Sequence, residues 1–218
     1  MIPPRRLTYP ASMKVMVFDL GGVLIRISRS WEEAADRANV TLREEHVVSG
    51  SLVRPRGNQA DLQRGLVDFE TFIEREQERL GGGYATDELS RLHEHWLRGE
   101  YEGVADIVER LRRAGVMTAT LSNTDAEHWK TLAELPAIKG LDVHALSFRL
   151  GMLKPSDEIY HAAEEMFDAT GPSICYLDDL QENVEAALRC GWNAIQIDPM
   201  EPTAPQIEQA LVSFGIDC

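Results

Sequence analysis

The chain has 218 residues, of which 44% are hydrophobic, and sets 22 Lys and Arg against 36 Asp and Glu for a formal net charge of −14. That length suits one α/β domain with an insert and can bury a substantial core. The acidic balance argues against a sequence-independent grip on DNA, RNA or an anionic membrane, so an anionic substrate would need local positive charge.

No apolar run approaches the ~20 residues of a membrane span, and MIPPRRLTYPAS lacks the apolar stretch of a signal peptide. The expectation is a cytoplasmic protein in which residues 1–12 are a loose extension. Cys175, Cys190 and Cys218 are odd in number, widely separated and without metal-ligand spacing, which argues against a disulfide framework or a zinc site. Cys175, inside the apolar run at 174–177, reads as a core residue.

The first predicted element is the stretch VMVFDLGGVL at 15–24. Residues 15–18 form a short continuous apolar run, the pattern of a parallel strand buried on both faces. Asp19 falls where that strand should end. Gly21 and Gly22 let the chain turn sharply and offer main-chain groups to a ligand. Burying a lone carboxylate is costly, so Asp19 is expected to be held by a cation, by hydrogen-bond donors or by both.

From 30 to about 100 the pattern changes to amphipathic helices, predicted over 31–40, 68–80 and 87–97. The second carries Phe69, Phe72 and Ile73 and is stopped by Gly81, Gly82 and Gly83. The third carries Leu89, Leu92 and Trp96 on one face. Between the first two lies SLVRPRGN, basic and rich in helix breakers. Residues 29–100 thus read as a small all-helical cap inserted between 13–28 and 101–218, with Arg54 and Arg56 placed to meet the polar end of a substrate. His93 and Trp96 share a helix face while His95 does not, so a histidine metal pair is not expected there.

From Tyr101 the pattern is regular β/α. Val104, Ile107, Val108 and Leu111 have helical spacing closed by Gly115, and a strand follows over 116–121, ending in Ser122, Asn123 and Thr124. A helix over 125–135 leads to a shorter strand at 143–147 and the loop FRLGMLKPS. Ser156 is predicted to cap the next helix. A strand at 174–177 ends in Asp178 and Asp179, followed by a helix closed by Gly191, a strand at 194–197 and a last helix at 207–214. Trp129 and Trp192 are assigned to packing.

Strands alternating with helices imply a parallel sheet with right-handed crossovers and helices on both faces, and ligands bind such sheets beyond the carboxyl ends of the strands. The unusual polar residues all follow apolar runs: Asp19, Ser122 and Asn123, Lys154, then Asp178 and Asp179. Together they can form a cage for a hard cation and a phosphate. Magnesium is usually bound through one or two carboxylates, which fits Asp19 and Asp179 with Asp178 in support. Ser122 and nearby backbone N–H groups can hold phosphate oxygens, and Lys154 supplies a point charge. Asp19 can then attack phosphorus as a nucleophile. Asn183, early in the following helix, is placed to orient a ligand or water.

The segments FDLGGVL, LSNT, GMLKPSDEIY and YLDDLQENVEAA resemble, in order, the four motifs of the haloacid dehalogenase superfamily. SNT followed by HW, and S-x3-G-x2-KP-x3-IY, are most similar to the branch of α-glucose 1-phosphate phosphatases and epoxide hydrolase N-terminal phosphatase domains. The resemblance implies a Rossmann-like core with a helical cap after the first strand. It implies Asp19 as nucleophile, Ser122, Asn123 and Lys154 as phosphate holders, and Mg²⁺ on Asp19, the Gly21 carbonyl and Asp179. One position departs: the superfamily's phosphatases usually carry a second aspartate, an acid and base, where this chain has Gly21. Losing such a group typically costs about 10² to 10⁴ in rate. The glucose-phosphatase branch resembles this chain in carrying glycine there. Substitutes for the proton donor are Asp125, Asp178, one of His46, His93 and His95, or simply a good leaving group such as an anomeric phosphate.

The expected activity is a Mg²⁺-dependent phosphatase of small phosphorylated metabolites, sugar phosphates by preference, working through an aspartyl-phosphate. The alternatives are a 2-haloacid dehalogenase, in which Asp19 displaces halide without metal, and a phosphate-binding or regulatory module with weak turnover.

Overall fold

The computed structural model describes residues 15–43 and 57–216. Residues 1–12, His46, Arg54 and Arg56 lie outside them. The described residues begin with strand β1 (Val15–Phe18), and its four side chains, all 0% exposed, alternate between two apolar clusters. Val15 and Val17 enter one cluster, Met16 and Phe18 the other, so both faces must be covered and every position is apolar.

An insert follows: strand β2 (Ile25–Ile27), helices α1 (Trp31–Ala38), α2 (Asn58–Gln63), α3 (Phe69–Arg79) and α4 (Thr86–Glu94), then strand β3 (Leu97–Glu100). The core resumes with α5 (Val104–Arg113), β4 (Met117–Ser122), α6 (Ala126–Leu132), α7 (Pro136–Lys139), β5 (Val143–Leu146) and α8 (Ser147–Leu150). It ends with α9 (Asp157–Phe167), β6 (Ile174–Asp178), α10 (Gln181–Arg189), β7 (Asn193–Gln196) and α11 (Thr203–Phe214).

The five core strands are parallel in the order β5-β4-β1-β6-β7. Strand order reverses beside β1, which creates the crevice where such sheets take ligands. The apolar stripe of α5, Val104, Ile107, Val108 and Leu111, is buried as its spacing predicts and packs on the Met16 and Phe18 face with Ile207, Leu211 and Phe214 of α11. On the Val15 and Val17 face lie Ile159, Tyr160 and Phe167 of α9 and Ala186 and Ala187 of α10. Trp192 is 2% exposed among the rings of Tyr160, Phe167 and Tyr176, and Cys175 is fully buried, both core residues as expected. Burial also pushes the Cys175 thiol up, away from reactivity.

The insert has its own apolar cluster, including Ala35, Leu62, Phe72, Ile73, Leu89 and Leu92. It is not wholly helical at its base. The predicted helix over 87–97 stops at Glu94, and Leu97–Glu100 pairs antiparallel with Ile25–Ile27, so the chain leaves and re-enters the core at one place. Asp68 caps α3 by accepting from the Thr71 N–H at 2.8 Å. Two further differences are local. Part of FRLGMLKPS forms the single turn α8, and Ser156 sits at the start of α9 without capping it, because its hydroxyl donates to Glu158 Oε2 at 2.8 Å instead. No helix among the described residues is long and apolar enough to cross a membrane.

Candidate active site

Asp19 follows β1, Ser122 closes β4 and Asp178 closes β6, three neighbouring strands of the sheet. Lys154 arrives from the segment after α8. Asp19, Gly21, Ser122, Asn123, Lys154, Asp179 and Asn183 line one cleft of about 180 Å³, with Asp178 behind them.

Lys154 is the centre of the arrangement. It is 4% exposed, and its three ammonium protons go to Asp178 Oδ2 at 2.7 Å, the Tyr176 hydroxyl at 2.9 Å and the Leu121 carbonyl at 3.0 Å. Burial works against the lysine charge, but Asp178 and Asp19 outweigh it and lift its pKa above the ordinary value. Tyr176 donates in turn to Asp178, as burial and that carboxylate keep it a phenol. Asp178 also accepts from the Leu180 N–H at 2.8 Å and from Asn183 Nδ2 at 3.0 Å to each oxygen. Asn123 turns its amide to the Lys154 backbone, accepting from its N–H at 2.9 Å and donating to its carbonyl at 3.0 Å. The sequence reading placed Asn123 on phosphate and Asn183 on a ligand or water. In the structure the Asn123 amide holds the Lys154 backbone and the Asn183 amide holds Asp178, the supporting place expected of Asn183, and Ser122, Asn123 and Asn183 all line the cleft.

Asp19 Oδ1 is ion-paired with the Lys154 ammonium at 2.9 Å, its one close cation among the described residues, while that ammonium also serves Asp178, Tyr176 and Leu121. Burial, with Asp178 and Asp179 nearby, outweighs the Lys154 charge and pushes Asp19 up to about 7. Asp179 is also raised, by burial and then Asp178, against the pull of Arg29, whose Nη1 donates to Asp179 Oδ2 at 3.0 Å. Asp19, Asp178 and Asp179 each place an oxygen within 4.8 Å of the others. Three carboxylates here meet two cations, Lys154 and Arg29, and the excess negative charge and the all-oxygen donor set suit a hard divalent ion. Gly22 is required beside it: its φ is +81°, and a Cβ would sit 2.4 Å from Asp179 Oδ2.

Sequence reasoning missed Arg29 and Tyr176, and met His128 only within the HW pair that follows SNT. Tyr176 was hidden in an apolar strand and Arg29 in the chain entering the insert, with no local pattern to mark either. His128 lines the cleft and belongs to a second cluster with His93 of α4 and Asp125, the residue that caps α6. The HW pair and Asp125 as a candidate proton donor were visible in the sequence, but not the contact of His128 with His93.

The fold and the site define a parallel α/β protein with a buried carboxylate, Asp19, at the end of its central strand. The sequence model of the haloacid dehalogenase-like hydrolases matches residues 13–191, and the chain belongs to that family. Among solved structures it is similar to a Porphyromonas gingivalis protein described as a predicted HAD-like family hydrolase, at 25% identity and TM-score 0.75, covering 92% of this chain and 98% of that one. A HAD family enzyme from Bacteroides thetaiotaomicron, in complex with magnesium and inorganic phosphate, matches at 22% identity and TM-score 0.70 over 87% of this chain and 96% of that one. A dehalogenase matches at 22% identity and TM-score 0.64 over 87% and 86%. No curated protein matches the sequence.

Proposed function

We propose that the chain is a Mg²⁺-dependent phosphatase of small phosphorylated metabolites, with sugar phosphates as the preferred class. The observation that supports this most is the gathering of three buried carboxylates, Asp19, Asp178 and Asp179, around one buried lysine, Lys154. A phosphate dianion cannot join three carboxylates without added positive charge. Asp19, the Gly21 carbonyl and Asp179 would hold Mg²⁺, which when bound neutralises charge on the carboxylates and the phosphoryl oxygens.

The chain's own residues then have distinct tasks. Ser122 and the Lys154 charge hold the phosphoryl group in line with Asp19. The Asp19 carboxylate attacks phosphorus as the sugar oxygen leaves, and water then hydrolyses the acyl phosphate, returning the carboxylate. Gly21 offers no proton to the departing oxygen. An anomeric phosphate, whose leaving hydroxyl is more acidic than an ordinary alcohol, suits such a site.

The test is turnover of p-nitrophenyl phosphate and a panel of metabolite phosphates with Mg²⁺ and with EDTA. We expect Mg²⁺-dependent release that Asp19→Asn abolishes. Halide release from 2-haloacids in EDTA would replace the reading with dehalogenation, and phosphate binding without turnover would replace it with the binding module. Gly21 can also be tested by gain: its Cβ would meet only the flexible end of Ile27, at 3.3 Å. Gly21→Asp should fold and raise turnover of alkyl phosphates by about 10² to 10⁴, leaving p-nitrophenyl phosphate nearly unchanged.

A further inference from the structure

The cluster at the boundary between insert and core contains two histidines and one carboxylate, and its hydrogen bonds fix where the protons are. Asp125, 1% exposed through its side chain, accepts the Glu127 and His128 N–H groups at 3.0 and 2.9 Å through Oδ1. Its Oδ2 lies 3.2 Å from His128 Nδ1. On the other edge of the ring, His128 Nε2 is 2.7 Å from the main-chain carbonyl of His93. A carbonyl only accepts, so Nε2 carries hydrogen, and Nδ1 faces an ionised carboxylate at 3.2 Å, a contact that is attractive only when Nδ1 is protonated as well. The geometry thus favours the imidazolium form of His128.

The groups around it favour that charge. Burial alone would push His128 down, but the Asp125 hydrogen bond and charge outweigh it, with Glu127 adding to them, and the net direction is up. His93 is driven down by burial and by the His128 charge, which leaves it neutral. Its ring lies flat on that of His128, with centroids 3.8 Å apart and planes within 5°. From α3 the cluster is met by Phe69 and Phe72, which carry no charge. A metal is a poor occupant, since Asp125 is already committed to four donors.

We propose that His128 is a positioning residue that docks the helical insert onto the core through the His93 carbonyl, so that docking over the cleft weakens as His128 loses its proton. With Nδ1 deprotonated, two lone pairs face each other at the Asp125 contact, and the ring must turn or withdraw. Either movement breaks the bond to His93. A second point of contact, where Gly65 of the insert lies against the Phe148 carbonyl, would persist because neither group titrates. The proposal concerns the boundary alone and does not depend on which reaction the cleft performs.

Two measurements on the full chain test it: imidazole titration by NMR, and amide hydrogen exchange of residues 86–94 across pH, corrected for the intrinsic rate. His128 should titrate above about 6.5, the unperturbed value, and protection of α4 should fall over the same interval. Asp125→Asn keeps the helix cap and should move both transitions down by about one pH unit or more. His128→Asn should leave α4 protection independent of pH. The proposal is overturned if His128 titrates at or below the unperturbed value, or if α4 protection ignores its titration. It is equally overturned if His128→Asn slows turnover in proportion to the basicity of the leaving group, because the proton would then belong to the chemistry.

Discussion

Asp178 and Asp125 are both removed from solvent, at 0% and 1% exposed, and both accept main-chain N–H groups at the start of a following helix. They differ in what balances them. Asp178 faces Lys154, whose charge persists across the physiological range, and every partner belongs to the core. Asp125 faces imidazole rings, one of them contributed by the insert. A permanent counter-charge makes a rigid platform, while a titratable one makes a junction conditional on solution conditions. The first suits the place where atoms react, the second a boundary between two bodies.

Removing the permanent charge tests the first half of this contrast. Lys154→Met leaves two buried carboxylates uncompensated and should lower stability by about 3–5 kcal/mol, measured by urea unfolding, with the larger penalty at pH 9, where Asp19, raised to about 7, would be ionised. The titratable cation should behave otherwise. His128→Asn should cost about 1–3 kcal/mol at pH 6, since Asp125 keeps its two main-chain donors. The sign follows from linkage: a histidine raised in the folded state contributes fully below its unfolded pKa, and that contribution disappears as pH rises through the folded one. The penalty should therefore shrink toward pH 9. An equal penalty at both pH values would break the distinction.

The smallest effect concerns the cation. Burial raises Asp19 to about 7, so the protonated carboxyl is favoured from the acid side up to that point and competes with metal there. Without metal, the stability Asp19 contributes is complete below its unfolded pKa and is lost as pH rises toward 7. Mg²⁺ at ten times its Kd should add about 1.4 kcal/mol at pH 8, or about 3–6 °C in Tm, and less than half of that at pH 5. A thermal shift independent of pH would mean that Asp19 is not among the ligands.

Much of the core was legible because it obeys local rules. The continuous apolar run of β1 and the stripe of α5 announce which faces they bury, and residues at strand ends converge by topology alone. Hence Asp19, Ser122, Lys154 and Asp179 could be brought together without coordinates. The β2 and β3 ribbon could not, because three or four residues carry no periodicity and Leu97 continues the apolar face of α4. The tie between the Asn123 amide and the backbone of Lys154 was equally hidden, because the two lie 31 residues apart. The role of His128 depends on a carbonyl 35 residues distant, which no pattern of residue types can encode.

The ribbon at the base of the insert has a consequence for ancestry and engineering alike. Because Ile27 and Leu97 are paired, the two ends of the intervening segment are neighbours, and that segment can be shortened, lengthened or exchanged without altering the alignment of the five parallel strands. The protein is thus built as a socket with an interchangeable fitting, in which the inserted part can change in length and sequence at its own pace while the parallel sheet stays as it is.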